Sequence, residues 1–127
     1  MGSARKKLGE AELEIMQVIW NSGNPVTSNS ILKELQAQRN WQLSTLMTSL
    51  ARLEDKGFIC CDRSTGRNLY TSVISENEYK VGASKHFLEK LYNNSIQNMI
   101  TALYNNKEIK NSDIEELRNF LAQLEDE

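Results

Sequence analysis

Thr45, Thr48 and Arg52 recur at i, i+3 and i+7 within the segment Trp41 to Gly57, and none of the three is a carboxylate. Helical spacing puts such positions on one face. Two hydroxyls and a guanidinium on a single face suit base edges and phosphate oxygens. A guanidinium can pair with guanine O6 and N7, and hydroxyls bond either base edges or the backbone. A basic turn follows at Arg63-Ser64-Thr65-Gly66-Arg67. Arg63 and Arg67 flank its tip and are expected to reach phosphates or the adjacent minor groove. Asn68 and Tyr70 are further candidates on the same turn and strand. Solvation of an ordinary helix face and turn is the plain alternative for all of these residues.

Other chemistry finds little support. No G-x-x-x-x-G-K-[ST], G-x-S-x-G or H-E-x-x-H pattern occurs, and no nucleophile–base pair stands out, so no enzyme is expected. Cys60 and Cys61 are adjacent, so on a strand they point to opposite faces. With His86 the one histidine and no clustered third ligand, neither a metal site nor a cofactor is expected. Trp20 lies on an apolar helical face and is read as core. Trp41, at a helix start, is read as a staple for that helix, with a phosphate contact from its indole N–H as the lesser reading.

The elements that must position these residues follow from periodicity. Glu10 to Asn21 reads as a first helix with Leu13, Met16, Ile19 and Trp20 inward. Asn21 to Pro25 is a turn. Thr27 caps a second helix that runs to about Gln38, with Ile31, Leu32 and Leu35 inward. The third helix runs from Trp41 to a C-terminal stop at Gly57, with Leu43, Leu46, Leu50 and Leu53 as its buried stripe. Phe58 to Arg63 and Leu69 to Ile74 read as strands around Thr65-Gly66. Three helices and a hairpin give a winged helix-turn-helix over residues 1–75.

Beyond Ser75 the pattern becomes wholly helical, so the fold class is mostly α with a small β-hairpin. The segment 76–92 carries Tyr79, Phe87, Leu88 and Leu91 as apolar positions. A second carries Ile96, Met99, Ile100 and Leu103. A third, capped by Ser112 or Asp113, carries Ile114, Leu117, Phe120, Leu121 and Leu124. Three short amphipathic helices make a poor independent core. Their faces are expected to meet a second copy of the chain, so residues 76–127 form a helical dimerisation region.

The net charge of -2 conceals an asymmetry. Residues 1–75 balance at +2 and residues 76–127 at -4, which assigns any polyanion contact to the first part. A content of 39% hydrophobic and 25% charged residues is that of an ordinary globular chain. No run approaches the roughly 18 apolar residues a membrane helix needs. No apolar segment follows the basic Arg5-Lys6-Lys7, so no secretory signal is read and a cytoplasmic location is expected. The basic cluster itself is read as a tail with occasional phosphate contact.

The chain carries L-G-E-A-E-L-E-I-M-Q-V-I-W through Trp20, then Val26-Thr27, then Trp41, Thr45, Thr48, Arg52, Leu53 and Gly57, followed by G-R-N-L-Y at Gly66 to Tyr70 and F-L-E-K-L-Y-N at Phe87 to Asn93. In these blocks, their order and their spacing it resembles the penicillinase-repressor family of winged-helix regulators of β-lactamase and methicillin resistance. The resemblance implies a homodimeric repressor on a palindromic, double-stranded operator that controls resistance genes and its own transcription. It places Thr45, Thr48 and Arg52 at family positions that face DNA, and Thr27, Trp41, Ser44, Arg63, Arg67 and Tyr70 are expected as further DNA contacts beside them.

Four departures bear on this. Gln42 replaces a family Ser, which removes a good N-cap and is expected to shift the helix start toward Ser44. Ser44 itself stands where some relatives carry a longer basic side chain. The β-lactam-responsive relatives are cut at an Asn-Phe bond through a membrane-linked sensor protease. That bond aligns here with Ala102-Leu103, which is the candidate site of proteolytic inactivation although the recognised side chains are absent. The paired Cys-x-Cys ending of the copper-responsive branch is replaced by L-A-Q-L-E-D-E, so copper sensing by that route is not expected. The rival from another class is a winged helix that binds a partner protein and selects no DNA sequence.

Overall fold

A computed structural model describes residues 7–23 and 25–125. In chain order the elements are α1 (Glu10–Ser22), β1 (Val26–Thr27), α2 (Ser28–Gln36), α3 (Leu43–Asp55), β2 (Ile59–Asp62), β3 (Leu69–Ser72), α4 (Glu76–Tyr92), α5 (Ile96–Asn105) and α6 (Asn111–Glu125). The chain forms two units, one up to Ala83 and one from Ser84, so the division falls within α4.

In the first unit the helices bury most of the stripes that periodicity assigns, with the assigned Leu13, Trp20 and Leu32 only half-buried and Ile15 buried in addition. Ile15, Met16 and Ile19 of α1, Ile31 and Leu35 of α2, and Leu46, Leu50 and Leu53 of α3 close on Phe58. Gly57 ends α3 as expected. At φ 84° it occupies the left-handed region, its N–H donates to the Glu54 carbonyl at 3.1 Å, and the Phe58 N–H donates to the Leu53 carbonyl at 3.0 Å. Tyr79, on the first turns of α4, lays its ring 5.9 Å from Phe58 and 6.0 Å from Trp20. The Trp20 indole N–H donates to the Ile74 carbonyl at 2.9 Å and the Ser72 hydroxyl at 3.0 Å, which ties α1 to the end of the hairpin.

The sheet has one strand more than periodicity announces. Its order is β1-β3-β2, all antiparallel, with Val26 opposite Tyr70, Thr27 opposite Leu69 and Cys61 opposite Tyr70. β1 is only two residues long, too short to show alternation. Thr27 serves both elements. Its backbone (φ -90°, ψ 160°) is extended enough to pair with β3, while its Oγ1 accepts from the Ser30 N–H at 3.1 Å to cap α2.

Two expectations for α3 are corrected. Leu43 is 49% exposed and not part of the buried stripe. It is the first residue of the helix, and Trp41, only 4% exposed, fills the core position beside it. Ser49 is buried on the core side in addition to the leucines. The helix start does not move to Ser44. Gln42 caps α3 by backbone conformation, without a side-chain hydrogen bond. α6 likewise starts at Asn111, before Ser112, with the Asp113 carboxylate accepting from the Lys110 N–H at 2.8 Å.

Lys56, just after α3, places its Nζ 2.8 Å from Oε1 of Glu12 in α1. Burial would raise the Glu12 carboxyl, but the Lys56 and Gly9 hydrogen bonds and the Lys56 and Arg52 charges outweigh it and hold the group below its ordinary value. A carboxyl lowered in the folded state contributes stability above its unfolded value and loses it as the pH falls through the folded one. Glu12→Ala is expected to cost about 1–3 kcal/mol at neutral pH, because a part-buried ammonium is left without its acceptor. Urea unfolding at pH 7 and pH 3 measures this, and the deficit should shrink at the lower pH.

The second unit is built differently. α5 and α6 contain no buried residue, nor does α4. Ser95 caps α5 by accepting from the Asn98 N–H at 3.1 Å, and the Tyr104 hydroxyl donates to Asn111 Oδ1 at 2.9 Å. The apolar side chains of this unit therefore lack the covering that those of the first unit have.

Candidate nucleic-acid interface

The core grip of Leu46, Leu50 and Leu53 turns the opposite side of α3 outward. Ser44, Thr45, Thr48 and Arg52 are all exposed there. The Thr48 hydroxyl donates to the Ser44 carbonyl at 3.0 Å, which fixes its rotor and leaves its lone pairs outward as acceptors. The Arg52 guanidinium has no hydrogen-bond partner among the described residues, although its charge acts on Glu12. This face therefore presents hydroxyls and an uncommitted guanidinium. Asp55, exposed and three residues beyond Arg52, adds a carboxylate at the C-terminal end of the same face. The sequence reading did not count it, and its i+7 spacing from Thr48 was the available signal.

The wing is shaped by its own side chains. The Asp62 carboxylate accepts from the Ser64 hydroxyl at 2.7 Å and the Ser64 N–H at 2.9 Å, and those bonds hold it below its ordinary value. Gly66 stands at φ 85°, a conformation that favours glycine at the tip. Arg67 is exposed at that tip with its guanidinium unpaired among the described residues. Arg63 is not free. Its Nη2 lies 3.1 Å from Glu54 Oε1 and its Nη1 3.3 Å from Oε2, a two-pronged bond from wing to α3 that raises the guanidinium above its ordinary value.

Three of the expected contact residues serve the fold instead of presenting an open surface. Tyr70 is buried, burial pushes its phenol up, and Asn68 Nδ2 lies 3.5 Å from its hydroxyl. Trp41 is buried too, and its indole N–H donates to Glu14 Oε1 at 3.2 Å. Thr27 is half-buried and occupied with its cap. Glu14 was missed by sequence reading. It also pairs with Arg39 at 3.0 Å, and Arg39 lies 5.4 Å over the Trp41 ring. Together they pin the turn between α2 and α3, and so the angle at which α3 starts.

In the second unit Phe87, Leu91, Ile96 and Leu121 are exposed, and Met99, Ile100, Leu103, Ile114 and Leu117 are half-buried. Ala102 and Leu103 lie inside α5. The Ala102 carbonyl accepts from Asn106 Nδ2 at 2.8 Å, and the Leu103 carbonyl from the Glu108 N–H at 2.8 Å. Cys60 is exposed, Cys61 is half-buried, and both are free thiols. Among the described residues no group of His, Cys, Asp or Glu could hold a metal, and no helix is long and apolar enough to cross a membrane. The expectation for Arg5 and Lys6 lies outside the described residues.

Three helices, a hairpin after the third, and a polar cationic outer face on that third helix define a winged helix-turn-helix. The chain belongs to the penicillinase repressor family, whose sequence pattern matches residues 8–123. It is 32% identical over 123 residues to the methicillin resistance regulatory protein MecI of Mammaliicoccus sciuri, spanning 95% of this chain and 98% of that one. It is 31% identical to the penicillinase repressor of Staphylococcus aureus, spanning 98% of both. Among solved structures, the DNA-binding domain of the repressor BlaI matches with a TM-score of 0.52 and 33% identity, over 59% of this chain and 90% of that one. The Bacillus licheniformis BlaI monomer in complex with the blaP half-operator matches with a TM-score of 0.50 and 34% identity, over 59% and 90%.

Proposed function

We propose that this chain is a homodimeric transcriptional repressor that binds a palindromic operator controlling antibiotic-resistance genes of the β-lactamase type, and its own gene. The observation that carries the reading is the outer face of α3, where Ser44, Thr45, Thr48 and an unpaired Arg52 stand together on a helix whose other side is locked into the core. Relatives named as repressors, one of them solved on a half-operator, support it.

In this reading α3 enters the major groove, Arg52 and the hydroxyls meet base edges or phosphates, and Arg67 meets the backbone beside the groove. Residues 1–75 do the DNA binding. Residues 76–127 bring two copies together, because their apolar faces are uncovered in one copy. The protein catalyses nothing and works in the cytoplasm, where its operator is. Release by a membrane-linked sensor protease at Ala102-Leu103 would require α5 to open first, since the carbonyls of both residues accept hydrogen bonds within the folded unit. The repressor reading does not depend on that route.

The test is selection of bound fragments from the host's sheared genomic DNA at near-physiological salt, followed by sequencing. The expected result is a palindrome within a promoter. Recovery of no sequence above background would overturn the reading in favour of a winged helix that binds a partner protein.

A further inference from the structure

We propose that Glu54 is a positioning residue that withholds the wing cation Arg63 from DNA, and so keeps the affinity for arbitrary duplex low. This inference rests on the DNA-binding reading above and adds a control on it.

The geometry is specific. Both terminal nitrogens of Arg63 face the two carboxylate oxygens of Glu54, at 3.1 and 3.3 Å. That is the end of the guanidinium fork that a phosphate would otherwise take in two-pronged fashion. Glu54 lies in the last turn of α3, where the helix places its negative end, so a phosphate drawn to Arg63 meets both a carboxylate and unfavourable helix polarity. Glu54 is the less exposed partner, at 32% against 58% for Arg63, so the carboxylate is the anchor and the arginine is the arm. Arg67, on the other side of the tip, has no such partner among the described residues. The wing therefore carries two arginines but offers one. Asp55, the next residue along α3, places a second carboxylate near this end of the helix.

Freeing Arg63 adds one phosphate contact for each protomer on the duplex. Each contact steepens the dependence of log affinity on log salt by about 0.9, which is about threefold in affinity between about 50 and about 200 mM salt. The experiment uses the full chain and a fluorescent duplex of mixed sequence, with binding followed by anisotropy across that salt range. Glu54→Gln is expected to bind several-fold more tightly than the wild type at the low-salt end, with the slope steeper by about 0.9 for each protomer on the duplex. Glu54→Ala should behave the same way, which guards against a peculiarity of the amide. Adding Arg63→Ala to Glu54→Gln should return both affinity and slope toward the wild type.

Weaker binding by Glu54→Gln, or an unchanged slope, would overturn the proposal, because Glu54 would then be orienting Arg63 toward DNA or doing nothing to it. A double variant as tight as Glu54→Gln would overturn it as well, because removing a carboxylate would then be the whole effect. Failure of every protein to bind duplex, even at the lowest salt, would instead sink the DNA-binding reading itself.

Discussion

Arg52→Ala should abolish selective binding to the operator while leaving the fold intact. Arg52 is exposed, and among the described residues its guanidinium has no hydrogen-bond partner, so its removal opens no cavity and strands no buried group. In the free protein its charge helps to lower the Glu12 carboxyl, a smaller effect than the hydrogen bond and charge of Lys56. On DNA the loss is larger. A two-pronged arginine–guanine contact discriminates by about 1–3 kcal/mol, and a symmetric dimer makes it twice, so affinity for the operator should fall by about 30-fold to about 10⁴-fold. Affinity for mixed-sequence duplex should change little by comparison. Arg67→Ala should do the reverse, weakening all sequences alike and flattening the salt dependence by about one contact per protomer. Gel-shift titrations on the selected operator and on a scrambled duplex separate the two. Equal losses on both duplexes for Arg52→Ala would move it from base reading to backbone holding.

Leu91→Glu, and independently Leu121→Glu, should yield a monomer that binds half an operator. Leu91 is 63% exposed and Leu121 47%, although both lie on helices whose apolar positions repeat with regular spacing. A charge at either position costs one copy little, because water already reaches it. In a dimer the same charge would be buried without a partner, which is costly. With the second half-site no longer linked, operator affinity should fall by about 10²- to 10⁴-fold, the gain that linkage confers. Sedimentation at micromolar concentration measures the oligomeric state, and the melting of the first unit serves as the folding control. Dimers that bind the operator as tightly as the wild type would exclude this face from assembly.

Much of this architecture was legible before folding. The inward stripes of α1, α2 and α3 and the stop at Gly57 follow from periodicity and from glycine's tolerance of positive φ, both properties of a few neighbouring residues. The hairpin was legible from its turn residues, but β1 was not, because two residues carry no alternation and Thr27 already had a sufficient explanation as a cap. Leu43 misled for a related reason. Spacing alone places it on the stripe, yet at the very start of a helix the chain can bring another side chain to the core, and the larger Trp41 takes that place.

The amino-acid sequence by itself determined the helices, the wing and the polar chemistry of the outer face of α3. Each depends on residue type and on separations of a few positions, which local backbone geometry converts directly into a face or a turn. Packing, by contrast, sets which hydrogen-bond donors of that region remain available. Trp41 is paired with a glutamate 27 positions earlier and Arg63 with one nine positions earlier, while Arg52 and Arg67 are left unpaired among the described residues. Such pairings arise when packed elements bring distant side chains within hydrogen-bond reach, and no repeat in the sequence encodes that distance.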